Sequence, residues 1–438
     1  MTLFQSCLSN APTMYIWVRN AVHTAMLLTL TATTCVITGC AGPAAGVLRF
    51  SSAAPSWGPM IAVYPIENLS GAPAPLRELQ EELAATLQRS GARIVDREVM
   101  DRFFERHWVR YVGGIDEATA AALWDEIGAD AVLITSLELY NDQYPPRIAL
   151  IARLVSTVGV PEILWMDSYA KAGDDTPGLL GLKIIQDPDR LRGLALEYLE
   201  ASLQSYIVNP PERTRKVSAR EVRESKPFTI LDLMAKMKDE PVRFNDDTQT
   251  SRPWFSQVGN LVASAYRPKT WYSSHSVLDD QLRSIAIVPF MNLSTRKHGA
   301  EAVVLHLAKQ LVVNGKHKVV EIGVIRDRML NLRIIMNSGV SNADIDSISN
   351  SLGVELIING KVFDYLESNS TGQNPKVDFS LQMFERDSRR ILWNSHSRNQ
   401  GDDGVFFFDV GQLSTASVLT DKMSKSLVKR LTEDVSVK

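Results

Sequence analysis

Ile61-Ala62-Val63-Tyr64-Pro65-Ile66-Glu67-Asn68-Leu69-Ser70 recurs later in the same chain as Ile285-Ala286-Ile287-Val288-Pro289-Phe290-Met291-Asn292-Leu293-Ser294. Each stretch is an apolar run that ends in Pro and an Asn-Leu-Ser turn, which is typical of a buried strand. The two stretches lie about 225 residues apart, and a recurrence at one fixed spacing indicates an internal repeat.

Three further pairs of segments follow in the same order at almost the same spacing. They are Gly128–Ile134 with Gly353–Asn359, Ile163–Trp165 with Ile391–Trp393, and Gly173–Asp175 with Gly401–Asp403. Four matches in one order are hard to obtain by chance, so we predict two copies of one domain of about 150 residues.

Within each copy, strand patterns alternate with amphipathic helix patterns, and two alternating strands follow. In the first copy we predict helices over 75–90 and 116–127, with Asp116 as the cap of the second helix and Gly128 as its end. Residues 147–156 and 162–170 predict an antiparallel hairpin. The predicted fold class is α/β: two tandem copies of a small sheet domain with packed helices and an added antiparallel hairpin.

The N-terminal segment predicts an export signal. An uncharged run, Ala25–Ala32, follows Arg19 and precedes Ile37-Thr38-Gly39-Cys40. Such a run is too short and too rich in Thr for a spanning helix, but it fits a signal peptide. A small-residue site that ends in Cys resembles a bacterial lipoprotein signal, which implies that the Cys40 thiol carries the lipid (palmitate). The alternative is an ordinary signal peptide in which Cys40 is incidental.

The other two cysteines of the chain, Cys7 and Cys35, lie inside the predicted signal peptide. Removal of that segment would leave Cys40 as the single thiol, so disulfide, thiolate and redox sites are excluded. In lipoproteins that this one resembles, an Ala after the Cys, as at Ala41, permits transfer to the outer membrane. We therefore expect a lipid anchor on the periplasmic face of the outer membrane.

Composition limits the partners. The net charge is −3 at pH 7, so a polyanion partner such as nucleic acid is not expected. The predicted organisation is a signal peptide over 1–39, a tether over 40–58, the first α/β domain over 59–208, a partly ordered linker over 209–282 and the second α/β domain over 283–432. Trp254 and Trp271 are expected to hold the linker against a domain.

The order of these motifs resembles a family of periplasmic lipoproteins with CsgG-like domains, named after the curli secretion channel. The features that carry this resemblance are the Ile-Ala-Val-x-Pro-x-x-Asn-Leu-Ser strand, the Gly-Ala-Asp-Ala-Val-Leu-Ile segment and the strand pair over 375–398. The resemblance implies the fold, the periplasmic compartment, envelope-protein partners and a homo-oligomer. Some relatives activate peptidoglycan synthases or assist polysaccharide export.

A secretion channel needs membrane-crossing strands of about 9–11 residues in which apolar and polar residues alternate. Such hairpins would be inserted at 141–146, 173–188, 364–376 or 395–412. These segments are, in that order, a tight turn, Gly/Pro-rich, polar without alternation, and mainly polar before Phe406–Phe408. We therefore predict that the chain does not itself form a pore. A channel subunit and an activator of a peptidoglycan synthase stay as alternatives to an assembly or secretion scaffold.

Catalytic motifs are missing from the sequence. It contains no His-Glu-x-x-His, Gly-x-Ser-x-Gly or Walker loop. His298 and His306 fall eight residues apart on one predicted helix, but a packed or solvated face explains them better than a metal pair. We expect neither an enzyme nor a cofactor nor a metal.

Two acid pairs and one aromatic run are the remaining candidates. Asp174-Asp175 and Asp402-Asp403 could ligate Ca²⁺ through oxygen, or could close strand-ending turns in which Gly supplies a positive φ. We favour the turns, and we expect Asn68 and Asn292 to fix the first turn of each copy. Phe406, Phe407 and Phe408 could dock a partner or lie in a buried edge strand. Trp124, Trp165 and Trp393 are predicted to be in the core.

Overall fold

The structure is a computed structural model that describes residues 58–175, 184–210, 266–274, 282–334, 340–368, 373–405 and 411–433. In this part of the chain there are two mixed sheets, of six and seven strands, and helices pack on both of them. This arrangement confirms the predicted α/β class of two tandem sheet domains. Cys40 and Phe406–Phe408 lie outside the described residues.

The first sheet has the strand order β3-β1-β4-β5-β6, and the two-residue β2 pairs with β4. β1 is parallel to both β3 and β4. β5 and β6 form the predicted antiparallel hairpin, and β4 adds to it as a third antiparallel strand. The strands are β1 (Met60–Val63), β2 (Glu67–Asn68), β3 (Arg93–Ile94), β4 (Ala131–Asn141), β5 (Arg147–Ser156) and β6 (Ile163–Ala172).

The described part of the first repeat has four helices: α1 (Leu76–Arg89), α2 (Arg97–His107), α3 (Glu117–Ile127) and α4 (Pro188–Val208). The predicted limits of α3 are confirmed, because the Asp116 carboxylate accepts a hydrogen bond from the Thr119 amide and Gly128 is left-handed with a φ of 73°. Such a conformation is favourable for Gly alone, which ends the helix there.

The second repeat has the same order of elements. Its sheet runs β10-β8-β11-β12-β13-β7, and β9 pairs with β11. The strands are β7 (Thr270–Ser273), β8 (Arg283–Ile287), β9 (Met291–Asn292), β10 (His317–Val319), β11 (Leu356–Leu366), β12 (Lys376–Glu385) and β13 (Ile391–Gln400); the helices are α5 (Gly299–Asn314), α6 (Ile322–Asn331), α7 (Asn342–Leu352) and α8 (Ala416–Glu433).

Strand β7 comes from the segment between the repeats. It adds to the edge of the second sheet by antiparallel pairing with β13, and it places the Trp271 ring 4.2 Å from the Arg430 guanidinium on α8. Trp271 therefore holds this part of the segment to the second repeat, as the sequence predicts. Trp254 lies outside the described residues.

The two repeats share one hydrophobic core. Ile134, Ile151 and Met166, on one face of the first sheet, belong to the same buried cluster as Leu305 and the rest of α5. Helix α5 is thus covered by its own sheet on one side and by the first repeat on the other, and twelve of its residues are buried. Burial of one Leu stabilises by about 1.5–3 kcal/mol, so this contact joins the repeats firmly.

Two sequence expectations are wrong in detail. Trp165 and Trp393 are buried as predicted, but Trp124 on α3 is 43% exposed because it lies on the outward face of that helix. Gly173 and Gly401 do not have positive φ. Glycine is needed at both positions because a Cβ would lie 2.2 Å from the Ile185 carbonyl oxygen in one copy and 2.4 Å from that of Leu413 in the other.

No described helix combines the length and apolar character needed to cross a membrane.

Candidate functional site at the junction of the repeats

A cleft of 590 Å³ opens where the two repeats meet. The first repeat contributes the end of β2 and the loop after α2, and the second contributes the β8–β9 turn, the start of α5 and α6. Both polar and apolar side chains line it: Glu67, Leu69, Tyr111, Phe290, Asn292, Lys297, His298, Glu301, Val304, Leu305, Ile322 and Arg326. Because both repeats form its walls, this cleft exists only in the tandem arrangement.

Glu67 is a partly buried carboxylate of the cleft. One of its oxygens accepts a hydrogen bond of 2.8 Å from the Ser136 hydroxyl. Burial raises the pKa of Glu67 above its usual value, although this hydroxyl and the Arg153 charge act in the opposite direction. In the second repeat Met291 takes the same place, since Glu67 pairs with Ser136 as Met291 pairs with Lys361. The acid is therefore not part of the repeated fold.

A second cavity, of 230 Å³, adjoins the cleft. Tyr111 and Arg326 line both spaces, and the Arg326 guanidinium lies 4.3 Å from the centroid of the Tyr111 ring. Trp108 stands at this second cavity with 76% of its surface exposed, and Leu330 of α6 is 52% exposed. We call the side chains Trp108, Arg110, Tyr111, Arg326 and Leu330 the junction groove.

Trp108 is the residue that ends α2, and its backbone is left-handed with a φ of 51°. This conformation is uncommon for a bulky residue and costs about 1–3 kcal/mol. It projects an indole ring into solvent at the end of the helix.

Beneath the groove, a buried ion pair joins the repeats. Arg153 of β5 and Glu321 at the start of α6 are 2.9 Å apart, and their side chains are 1% and 0% exposed. The Arg153 guanidinium also donates a hydrogen bond of 2.6 Å to the Gly113 carbonyl oxygen. Next to it Gly323 packs so tightly on Ile115 that a Cβ would lie 2.2 Å from the Ile115 nitrogen. The loop that ends in the groove is thus fixed by the second repeat.

A second buried cluster surrounds His306 of α5. Its Nε2 lies 3.0 Å from a Glu138 oxygen, and its Nδ1 lies 3.4 Å from Asp421. Burial alone would lower the pKa of His306, but the charges of Glu138 and Asp421 raise it to about 9. The pKa of Glu138 is correspondingly lowered, because its interactions with His306 outweigh its burial.

Ser417, His306 and Asp421 are arranged like a nucleophile, a base and an orienting acid. The Ser417 hydroxyl lies 3.1 Å from His306 Nε2, but it donates a hydrogen bond of 2.6 Å to Glu138. Ser417 is 1% exposed and His306 is 0% exposed, so a substrate has no access to them. The cluster therefore acts as an ionic connection between β4, α5 and α8.

The acid pairs and the Asn residues form turns. Asp175 accepts a hydrogen bond from the Ala172 amide, and Asp403 accepts one from the Gln400 amide. The Asn68 side chain bonds the Ser70 amide and the Ala72 carbonyl oxygen, and Asn292 makes the same kind of turn in the second repeat. Both predicted turn assignments are confirmed.

The two His that lie eight residues apart have different surroundings. His298 lies next to Glu301 at the start of α5, whereas His306 is in the buried cluster. Within the described residues no group of three or more His, Cys, Asp or Glu is placed to hold a metal ion.

Sequence patterns did not identify the junction groove. One feature of the sequence points to the contact between the repeats. Helix α5 is apolar on nearly all sides, whereas the equivalent helix α1 has an outward face with Glu78 and Glu81. A helix that is apolar all round is covered on both sides. This contrast between equivalent helices could have indicated that the second repeat is covered by the first.

No protein-family model matches the chain. No curated protein matches it either. Several solved structures are similar to part of it. A PelC dodecamer from Paraburkholderia phytofirmans is 13% identical, with a TM-score of 0.24, over 35% of this chain and 95% of that chain. Lipoprotein GNA1162 from Neisseria meningitidis is 20% identical, with a TM-score of 0.25, over 36% of this chain and 99% of that chain. The LpoB C-terminal domain from Salmonella enterica is 15% identical, with a TM-score of 0.22, over 27% of this chain and 82% of that chain.

Proposed function

We propose that this chain is a non-enzymatic lipoprotein of the bacterial envelope that works by binding other proteins. The observation that carries the proposal is the junction groove. It is built from both repeats, is held by the buried Arg153–Glu321 pair and presents an exposed Trp at its edge. Trp, Tyr and Arg are the side chains that contribute most energy in protein interfaces, and all three types line this groove.

The rigidity of the junction supports the same function. The shared core and two buried ionic clusters fix the relative positions of the groove's walls before any partner arrives. A preorganised surface loses less conformational entropy on binding than a mobile one. A small binding surface gains from this lower entropy cost, because only a few side chains contribute to the binding energy.

The finer assignments follow from the sequence. The Cys40 motif and Ala41 support a lipid anchor on the periplasmic face of the outer membrane. The CsgG-like resemblance supports a role in assembly, secretion or envelope biogenesis, including activation of a peptidoglycan synthase, together with self-association. The alternative role of channel subunit gains no support from 141–146, which is a short turn between β4 and β5.

The proposal is tested in cells that produce the tagged full chain. Chemical crosslinking followed by mass spectrometry should recover the same envelope proteins in repeated experiments, and Cys40→Ser should release the chain from the membrane fraction. A chain that stays monomeric and crosslinks to no envelope protein would contradict the scaffold function. Membrane association that persists in Cys40→Ser would contradict a single lipid anchor.

A further inference from the structure

We infer that the junction groove binds an acidic peptide segment that also carries apolar side chains. This inference rests on the proposed protein-binding function and names the chemistry of the partner. The occupant is an extended or helical segment of another protein, with carboxylates directed at the arginines and an aliphatic or aromatic side chain packed on Trp108.

The charge of the groove supports this choice. The cavity beside Trp108 is lined by three basic side chains, His107, Arg110 and Arg326, and by two carboxylates, Asp116 and Asp327. Both carboxylates already accept hydrogen bonds. Asp116 caps α3, and Asp327 accepts a hydrogen bond of 3.0 Å from the side-chain amide of Asn331.

Among the basic side chains, His107 lies 2.7 Å from Glu126, and Arg326 lies over the Tyr111 ring. Arg110 is exposed and makes no hydrogen bond or ion pair within the described part of the chain. Arg110 is therefore the cation of the groove that has no partner among the described residues, and the complement of its guanidinium is a carboxylate. A guanidinium binds a carboxylate in a bidentate, directional way.

The apolar part of the groove supports an apolar neighbour for that carboxylate. Trp108 and Leu330 come from different repeats, and both have more than half of their surface exposed. They border a cavity of 230 Å³, which is below the range of roughly 300–1,000 Å³ that is usual for sites of drug-sized ligands. The combination of one such pocket with an adjacent unpaired Arg suits a peptide anchor.

The probe for this inference is a phage-displayed library of random 12-residue peptides, selected on the purified full-length protein. We expect the retained peptides to be enriched in Asp or Glu next to Leu, Phe or Trp. One enriched peptide, made with a fluorescent label, then serves in anisotropy titrations.

Trp108→Ala and Arg110→Glu should each weaken binding of the labelled peptide at least tenfold. Trp124→Ala and Arg102→Glu are matched controls, because Trp124 is also exposed and Arg102 is an exposed Arg on α2, and neither lines the groove. The controls should bind as the wild type does. Leu330→Ser tests the contribution of the second repeat and should also weaken binding.

Three results would overturn the inference: enrichment of basic peptides, no enrichment above selection on Trp108→Ala, or equal loss of binding in Trp124→Ala and Trp108→Ala. Displacement of the peptide by a single-stranded oligothymidine would reassign the groove to nucleic acid and would overturn it as well. If envelope proteins still crosslink to the chain but Trp108→Ala does not weaken peptide binding, the inference that the groove binds acidic peptides is wrong, and the proposed protein-binding function still stands. If no protein crosslinks at all, the proposed function fails.

Discussion

Arg153 and Glu321 form an ion pair 2.9 Å long between the two repeats, and at most 1% of either side chain is exposed. They are far apart in the chain, and the pair lies at the base of the junction groove. Burial of two charges is costly, and it is tolerated here because the Arg153 guanidinium also bonds the Gly113 carbonyl oxygen.

Removal of one partner of this pair should destabilise the protein strongly. Arg153→Met leaves the Glu321 carboxylate buried without its cation, and we expect the free energy of unfolding to fall by about 3–5 kcal/mol. The double variant Arg153→Met with Glu321→Leu should recover much of that loss, since no charge stays buried. Urea unfolding of the full chain measures both. A double variant less stable than either single variant would contradict this view of the pair.

The stability of the junction should depend on pH through His306. Its pKa is raised from 6.5 in the unfolded chain to about 9 in the fold. The resulting stabilisation is fully present below pH 6.5 and is lost as the pH rises through 9, with a total on the order of 3 kcal/mol.

Urea unfolding at pH 6, 7.5 and 9 checks this dependence, with the double variant His306→Gln and Glu138→Gln as the control that carries neither charge. Its stability should change much less over this range. His317 acts in the opposite direction below pH 6.5, because burial lowers its pKa to about 4. The double variant keeps His317 and therefore shows its share of the change between pH 6 and pH 7.5. A wild type as stable at pH 9 as at pH 6 would contradict the prediction.

Gly323→Ala should loosen the junction. A Cβ at this position would lie 2.2–2.5 Å from backbone atoms of Ile115, which cannot move away as a flexible side chain could. We expect a loss of about 1–3 kcal/mol in the free energy of unfolding.

Gly193→Ala, in α4, is the matched control because a Cβ there has no neighbour within 4 Å. It should stabilise the protein by about 0.5–1 kcal/mol, since Ala favours a helix interior over Gly. Thermal unfolding of the two variants should therefore shift in opposite directions.

The equivalent helices α1 and α5 should respond differently to the same exchange. Leu79 of α1 corresponds to Val303 of α5, so Glu81 and Leu305 occupy equivalent places. Leu305→Glu puts a carboxylate in the shared core, and we expect a loss larger than the roughly 2–5 kcal/mol of a Leu→Ala change.

Glu81→Leu changes a surface position whose ion pairs with Arg77 and Arg97 are exposed and screened by water, so its cost should be much smaller than that of Leu305→Glu. Limited proteolysis offers a second measurement. It should cut Leu305→Glu between the repeats sooner than it cuts the wild type. Equal protection of the two variants would show that α5 is not held between the repeats.

The pairing of the repeats also limits self-association. The face of the first sheet that covers α5 carries Ile134, Ile151 and Met166. The register of the second sheet puts Asn359, Ser380 and Asn394 at the equivalent places. A homo-oligomer could therefore not repeat the internal contact at these three places, because polar side chains stand where the first sheet has apolar ones.

Most elements of each repeat could be predicted from local pattern. The limits of α3 follow from Asp116 and Gly128, whose cap and left-handed backbone depend on neighbours a few residues away. The antiparallel hairpin of the second repeat follows from the alternation of apolar and polar residues in β12, whereas β5 in the first repeat is buried at nearly every position. The prediction that Trp124 lies in the core is wrong because local pattern does not show which helix face is covered. That depends on which distant element packs against the helix.

The sequence by itself determined the duplicated α/β fold, the turns at Asn68 and Asn292, and the prediction of a lipid anchor at Cys40, because each depends on residues close together in the chain. Only the tertiary structure decided that the first sheet covers α5, that Arg153 meets Glu321, and that Trp108 and Leu330 border one groove. These contacts join residues from different repeats, and their energy comes from desolvation and packing, which no short segment of sequence specifies.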